Sequence, residues 1–237
     1  MPLTESERLR YERQLMLPDI GEAEQEHLKQ MRLLIVGAGG IGSPLILYLA
    51  AAGIGALRIV DSDVVALSNL QRQILYRTND VGRFKAELAA QRATELNPYC
   101  RTEAVIKRFG KQNAMDLAVD CDMIIDATDN LATRYLLDAT ARACKLPYLY
   151  GAIQGYTFQS ALFTYSNDGP GYSDLFPEYN EGGDEAPVAV FAPAVGVLGS
   201  LMATQALKAL LRVGETLDGK LLRVDIRSLT AELFSFL

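Results

Sequence analysis

A chain of 237 residues, 49% hydrophobic and 22% charged, has the make-up of a globular protein and enough length to bury the core of a single α/β domain. Its formal net charge of −6, with no run of Lys or Arg, argues against a nucleic-acid partner. Three cysteines (Cys100, Cys121 and Cys144) are spaced too widely for a C-x-x-C metal site, the N-terminus is charged and amphipathic, and no apolar run approaches membrane-spanning length; a reducing, cytoplasmic setting without a membrane partner is expected.

In chain order, residues 4–29 read as helical, with Thr4 as N-cap and Glu7 completing a capping box. In SERLRYERQL, Arg10, Arg13 and Gln14 fall along one side at helical spacing, a pattern that a solvated face also explains. Pro18 to Gly21 breaks this pattern. The only histidine, His27, lies in a polar stretch and reads as a surface residue, so a histidine base is not on offer. Leu33–Val36 then forms a buried parallel strand that runs directly into Gly37, Gly39, Gly40 and Gly42. Gly37, Gly39 and Gly42 fit G-x-G-x-x-G ahead of a helix reaching about Ala52. The first glycine makes the tight turn, the second admits a phosphate to the backbone, and the third lets helix pack on strand. Free N–H groups and the positive end of the helix dipole then face the phosphates. Asp61 ends the next strand, LRIVD, nineteen residues beyond Gly42, where a carboxylate can accept ribose hydroxyls; Asp63 follows two positions on. A bound nucleotide is expected, although dehydrogenases show the same fingerprint.

Residues 62–76 set Arg72 between Gln71 and Gln73, and residues 81–97 form a helix with Lys85 in its first turns. A lysine there opposes the helix dipole and calls for a partner, which a phosphate would supply; two ordinary surface cations are the alternative. Thr102–Ile106 is a short strand and Asn113–Ala118 a short helix. Residues 121–130 give another buried strand, with Asp129 and Asn130 in the turn before a helix from about Leu131 to Cys144. Either Asp129 or Asn130 caps that helix, or Asp129 ligates Mg²⁺ at the carboxyl end of a parallel strand, where open α/β sheets bind ligands. Pro147–Gly151 and residues 155–166 are strands, the second antiparallel. Residues 166–193 show no period and read as a long crossover loop. Ala194–Arg212 is a helix with Ala194, Gly196, Gly199 and Ala203 on one side for close packing, and a hairpin about Arg227–Ser228 follows. The fold class expected is α/β: a Rossmann-like doubly wound sheet, mostly parallel with antiparallel C-terminal strands. It forms one domain over 1–237, with a helical arm at 1–29.

RYERQ, GAGGIG, the Asp61 strand, SNLQRQ, VGRFK, ATDN and AVGVLGSLMATQALK together resemble the ThiF/MoeB/HesA family, bacterial relatives of ubiquitin-activating E1 enzymes, over nearly the whole chain. The specific part is SNLQRQ, followed thirteen residues after Arg72 by Lys85 and then by TDN. The resemblance implies ATP- and Mg²⁺-dependent adenylation of the C-terminal glycine of a small ubiquitin-like sulfur carrier ending in Gly-Gly, of the thiamine or molybdopterin type, with release of pyrophosphate. It also implies that Arg72 and Lys85 hold the triphosphate, Asp129 holds Mg²⁺, Asp61 binds ribose, and Asn69 and Gln73 line the phosphate pocket. Arg13 would reach the γ-phosphate of a neighbouring subunit's ATP, which implies a homodimer. These residue types suit the chemistry, because a carboxylate attacking anionic ATP needs charge neutralisation and alignment, and no general base.

Two departures from the family stand out. Many members carry a structural zinc held by two C-x-x-C pairs; here Gly171 and Asp174 stand where the first pair would, the second is missing, and no zinc is expected. Glu185 takes the place of the family's crossover-loop cysteine, and the three thiols present read as structural, so the acyl-adenylate is expected to be released without a covalent step. Three alternatives stay open at this point: adenylation of a ribosomal peptide C-terminus, a non-catalytic E1-like scaffold, and an NAD-dependent dehydrogenase. The last leaves the Arg72–Lys85 set unexplained.

Overall fold

Strand Arg32–Val36 (β1) carries apolar side chains on both faces, with Leu33, Leu34, Ile35 and Val36 all buried, so it needs cover on both sides and takes the centre of the sheet. The computed structural model describes residues 2–165, 169–177 and 188–236. Around β1 the chain forms helices α1 (Glu5–Leu15), α2 (Glu22–Leu28), α3 (Gly42–Ala51), α4 (Lys85–Leu96), α5 (Ala114–Ala118), α6 (Leu131–Cys144), α7 (Tyr172–Leu175) and α8 (Ala192–Leu211). The remaining strands are β2 (Ala56–Val60), β3 (Arg101–Val105), β4 (Met123–Asp126), β5 (Tyr148–Gln154), β6 (Thr157–Phe163), β7 (Lys220–Asp225) and β8 (Thr230–Ser235).

These strands make one sheet in the order β3-β2-β1-β4-β5-β6-β7-β8. The first five are parallel, and β6, β7 and β8 continue antiparallel, as the sequence predicts. The chain winds outward from β1 to β3, then returns to β4 on the other side of β1. The carboxyl ends of β1 and β4 therefore diverge into a crevice, the topological switch point where open α/β sheets bind ligands. Leu33 and Ile35 share a core with residues of α3, α4 and α8 on one face, whereas Leu34 and Val36 pack towards α5, α6 and α7 on the other.

The N-terminal capping box forms as read: Thr4 Oγ1 accepts from the Glu7 N–H, and Glu7 Oε2 accepts from the Thr4 N–H. Elsewhere the boundaries move. The strand read over 121–130 is confined to Met123–Asp126, and that of 147–151 continues to Gln154. Residues 169–177, inside the stretch read as loop, contain α7. Contrary to the expectation from apolar runs, α8 is long and apolar enough to cross a membrane. Its face of Ala194, Leu198, Met202 and Ala206 is buried, and it packs on α3, β5 and β6 as a core helix. Gly199 of the small-residue side lies against the Ile41 carbonyl, while Gly196 meets nothing. Cys100 and Cys121 are buried, and burial pushes their thiols up to about 12 and about 11, the behaviour of inert structural thiols. Glu185 lies outside the described residues.

Candidate active site

The turn after β1 is built by exclusion of side chains. Gly37 has φ +97°, and a Cβ there would stand 2.5 Å from the Ala127 carbonyl oxygen at the end of β4. Gly42 opens α3 with no room for a Cβ against the Gly37 carbonyl, so helix and turn lock together. Tyr76, buried, closes the turn from below: its hydroxyl donates to the Ala38 carbonyl at 2.6 Å and lies 3.3 Å from the Lys85 carbonyl.

A cleft of about 1290 Å³ opens over this turn and continues across the β5–β7 face of the sheet. Gly37, Gly39, Gly40, Asp61, Asp63, Arg72, Gln73, Lys85, Asp129 and Asn130 all line it. Segments remote in sequence thus meet at the carboxyl ends of β1, β2 and β4.

Each predicted residue has a specific setting there. The Asp61 carboxylate accepts the Ala38 N–H and the Asp63 N–H, both at 2.8 Å, so it first ties the glycine turn to the end of β2. Burial pushes its pKa up despite those two bonds. Lys85 is the first residue of α4. Its partner within the chain is Asp63, with Nζ 2.8 Å from Oδ2; the lysine side chain is 6% exposed and the aspartate 66%. One of the three ammonium donors is therefore engaged by a solvent-facing carboxylate at the cleft rim. Arg72 lies beside Gly40, with its Nη1 donating to the Ser68 carbonyl at 3.2 Å. Gln73 is buried, and its Oε1 has no hydrogen-bond partner among the described residues, while its Nε2 faces Gly39. A buried amide oxygen without a partner is rare in a folded protein, and this one stands beside the glycine turn.

At β4 the structure assigns the helix cap. Asn130 caps α6, its Oδ1 accepting the Thr133 N–H at 3.0 Å. Asp129 is exposed, and among the described residues its carboxylate has no hydrogen-bond or ion-pair partner. A lone free carboxylate suits Mg²⁺, which takes one or two carboxylates and fills its octahedron with water and substrate phosphates. Among the described residues no cluster of three His, Cys, Asp or Glu forms.

Three predicted residues do not line this cleft: Gly42, which packs α3 against the turn, Asn69 and Arg13. Asn69 uses its Oδ1 to accept the Ala66 N–H at 3.0 Å, and its carbonyl accepts the Arg72 and Gln73 N–H groups. It shapes the loop that presents those two residues and is not part of the cleft wall. Arg10, Arg13 and Gln14 do not act as one side. Arg10 donates to the Leu96 carbonyl, Gln14 to Gln25 and the Ala52 carbonyl, and Arg13 is exposed on α1.

The sequence reading passed over one network. Asp126, fully buried, accepts from the Thr128 N–H (2.8 Å), the Thr128 hydroxyl (2.6 Å) and the Tyr148 hydroxyl (2.8 Å). Arg134 Nε lies 3.8 Å from Asp126, its Nη2 donates to the Thr128 carbonyl, and its guanidinium stands over the Tyr150 ring. Burial opposes both charges: it pushes Asp126 up, whereas Asp126 outweighs it at Arg134 and keeps the guanidinium charged. The pair fixes the turn that carries Asp129. The signal was an aspartate closing the apolar run MIID.

The ThiF family model matches residues 11–236. The chain is 43% identical over 226 residues to a SAMP-activating enzyme E1 of Haloferax volcanii, covering 94% of this chain and 83% of that protein. It is 42% identical over 232 residues to a sulfur carrier protein adenylyltransferase of Thermus thermophilus, covering 95% and 86%. Among solved structures, PaaA superposes with a TM-score of 0.85 at 23% identity over 99% of this chain and 84% of that one, a likeness of fold.

Proposed function

This chain belongs to the ThiF family, and on that premise we propose that it is an adenylyltransferase joining the AMP moiety of ATP to the C-terminal carboxylate of a small ubiquitin-like sulfur carrier protein. The observation that carries the reading is the meeting of Arg72, Gln73, Lys85 and Asp129 around the glycine turn in one cleft. A hydride-transfer site has no use for that set.

In the reaction, a carboxylate oxygen of the carrier's last residue attacks the α-phosphorus of ATP. A C–O–P anhydride forms, the bond between the α- and β-phosphates breaks, and pyrophosphate leaves with the electron pair. The carboxylate is already ionised at neutral pH, so no base is needed. The barrier is repulsion between anions and the need for in-line approach. Turn N–H groups and the α3 N-terminus meet the phosphates, Lys85 and Arg72 neutralise the charge that builds on them, and Asp61 is the acceptor for the ribose. Mg²⁺, held by Asp129, would offset phosphate charge. Arg13 is exposed and outside its own cleft, so its part in the reading is in trans, at the site of a second copy in a homodimer.

The test is Mg²⁺-dependent exchange of labelled pyrophosphate into ATP, run with ubiquitin-like carriers and peptides ending in Gly-Gly. Exchange that depends on one carrier is the expected result. ATP binding without exchange for any carrier would leave a silent scaffold, and no ATP binding would overturn the reading.

A further inference from the structure

Asp138, in the middle of α6, is 2% exposed and has no salt bridge among the described residues. Its carboxylate is nonetheless fully engaged. Oδ1 accepts the Tyr165 hydroxyl and the Tyr172 N–H, both at 2.8 Å, and Oδ2 accepts the Ser173 hydroxyl at 2.7 Å and the Ser173 N–H at 3.2 Å. All four donors belong to the chain that follows β6. Two further residues on the same side of α6 grip the same segment. Arg142 Nη2 donates at 2.6 Å to Asp174, whose Oδ2 also accepts the Gly171 N–H, and the Tyr135 hydroxyl donates to the Phe176 carbonyl. Residues 135, 138 and 142 form one helical stripe. Gly171 passes so close to Asp138 Oδ1 and Arg142 that a Cβ has no room.

The grip has a consequence in the cleft. A four-residue helix such as α7 cannot hold its own shape, so its position comes from what fastens it. Fastened to α6, it sets the buried Tyr172 ring 4.9 Å and the half-buried Phe176 ring 5.9 Å from the buried Tyr150 ring; all three residues belong to the cleft lining, and Phe176 is the one that keeps an open face.

We propose that Asp138 is a positioning residue for the protein substrate: through Tyr172 and Phe176 it sets the wall along which the substrate's C-terminal tail runs towards the α-phosphate. The inference rests on the adenylation reading above. A tail of glycines has no side chains to be recognised. Its binding depends on the shape of the wall it meets, and Phe176, backed by the buried rings of Tyr172 and Tyr150, keeps that shape only while α7 stays fastened. The segment Gly171–Asp174 is thus fastened by carboxylates and an arginine.

The experiment is steady-state exchange with Asp138→Asn, using the carrier that supports exchange by the wild type. An asparagine turns an NH₂ group towards donors, so the anchor is lost while volume is kept. The expected result is a rise of about tenfold in KM for the carrier, with kcat at saturating carrier and KM for ATP within about twofold of wild type. An unchanged carrier KM overturns the proposal, as does an equal loss of ATP binding, which marks general loosening. Should Asp138→Asn fail to fold, Tyr165→Phe and Ser173→Ala each remove one donor, and the same split between carrier and ATP must appear in at least one. Hydrogen exchange read over residues 169–177 decides without a substrate. Faster exchange there in Asp138→Asn, with the rest of α6 unchanged, supports the anchor, and equal exchange overturns it. A wild type that activates no carrier, with the anchor intact by hydrogen exchange, would instead count against the adenylation reading.

Discussion

At the glycine-turn end of the cleft, each loop is shaped by fastenings short in sequence (Asn69 to Ala66, Asp63 N–H to Asp61, Asn130 to Thr133), and longer ones from Asp61 and Tyr76 to Ala38 join them. At the α7 wall, Tyr172 and Phe176 hang on Tyr135, Asp138 and Arg142 of a helix some thirty residues earlier in the chain. The first end is made of motifs, whose residue types are dictated by phosphate chemistry. The second is made of tertiary contacts, whose residues need only reach one another. Nucleotide handling is therefore written in compact signatures, and protein-substrate handling is spread over α6 and α7.

This contrast is broken most directly at Gly37. Gly37→Ala puts a Cβ into the Ala127 carbonyl at a φ that L-residues avoid. A loss of about 2–4 kcal/mol in denaturant unfolding, together with loss of ATP binding, is expected. Next comes Lys85. If its task is the phosphates, Lys85→Ala lowers pyrophosphate exchange by about 10²–10³-fold, while Asp63→Asn, which removes only its exposed partner, stays within about threefold. Equal losses would make the ion pair itself the important feature. The trans reading of Arg13 is sharpened by mixing: Arg13→Ala and Lys85→Ala proteins, each inactive alone, regain exchange when refolded together, because one site of the hybrid has both residues. No recovery would confine Arg13 to its own chain.

Smaller effects test the supports. Asp80 is buried between Arg77, Arg83 and Arg92; burial alone would raise its pKa, but Arg92, the Arg77 N–H and Arg83 outweigh it and hold it low. A carboxylate held low in the folded state stabilises the fold above its unfolded value, and that contribution disappears as pH falls through the folded pKa. Asp80→Asn should be less stable than wild type by about 1–3 kcal/mol at pH 7, the gap closing as pH drops below the ordinary 3.8. Thermal melts over pH 2–7 check the sign. The least effect is expected at Gly196 of α8, where a methyl group meets nothing. Gly196→Ala should be neutral or stabilising by about 0.5–1 kcal/mol, against the clash at Gly37.

The sequence by itself determined the order of elements, the capped first helix, the glycine turn, and the acidic residues at the ends of β2 and β4. These follow from periodicity and from residue types that have one physical use: glycine where no Cβ fits, a carboxylate at a strand end. It also carried the family, because SNLQRQ, Lys85 and TDN together resemble the ThiF pattern. Only the tertiary structure decided the rest. It chose Asn130 over Asp129 as cap, gave Lys85 the partner Asp63, left the Gln73 Oε1 unpaired among the described residues, gave Arg10 and Gln14 separate partners while Arg13 stays exposed, and fastened α7 through Asp138. A hydrogen bond depends on positions in space to within a few tenths of an ångström, and residues far apart along the chain acquire such positions only when the whole sheet has formed.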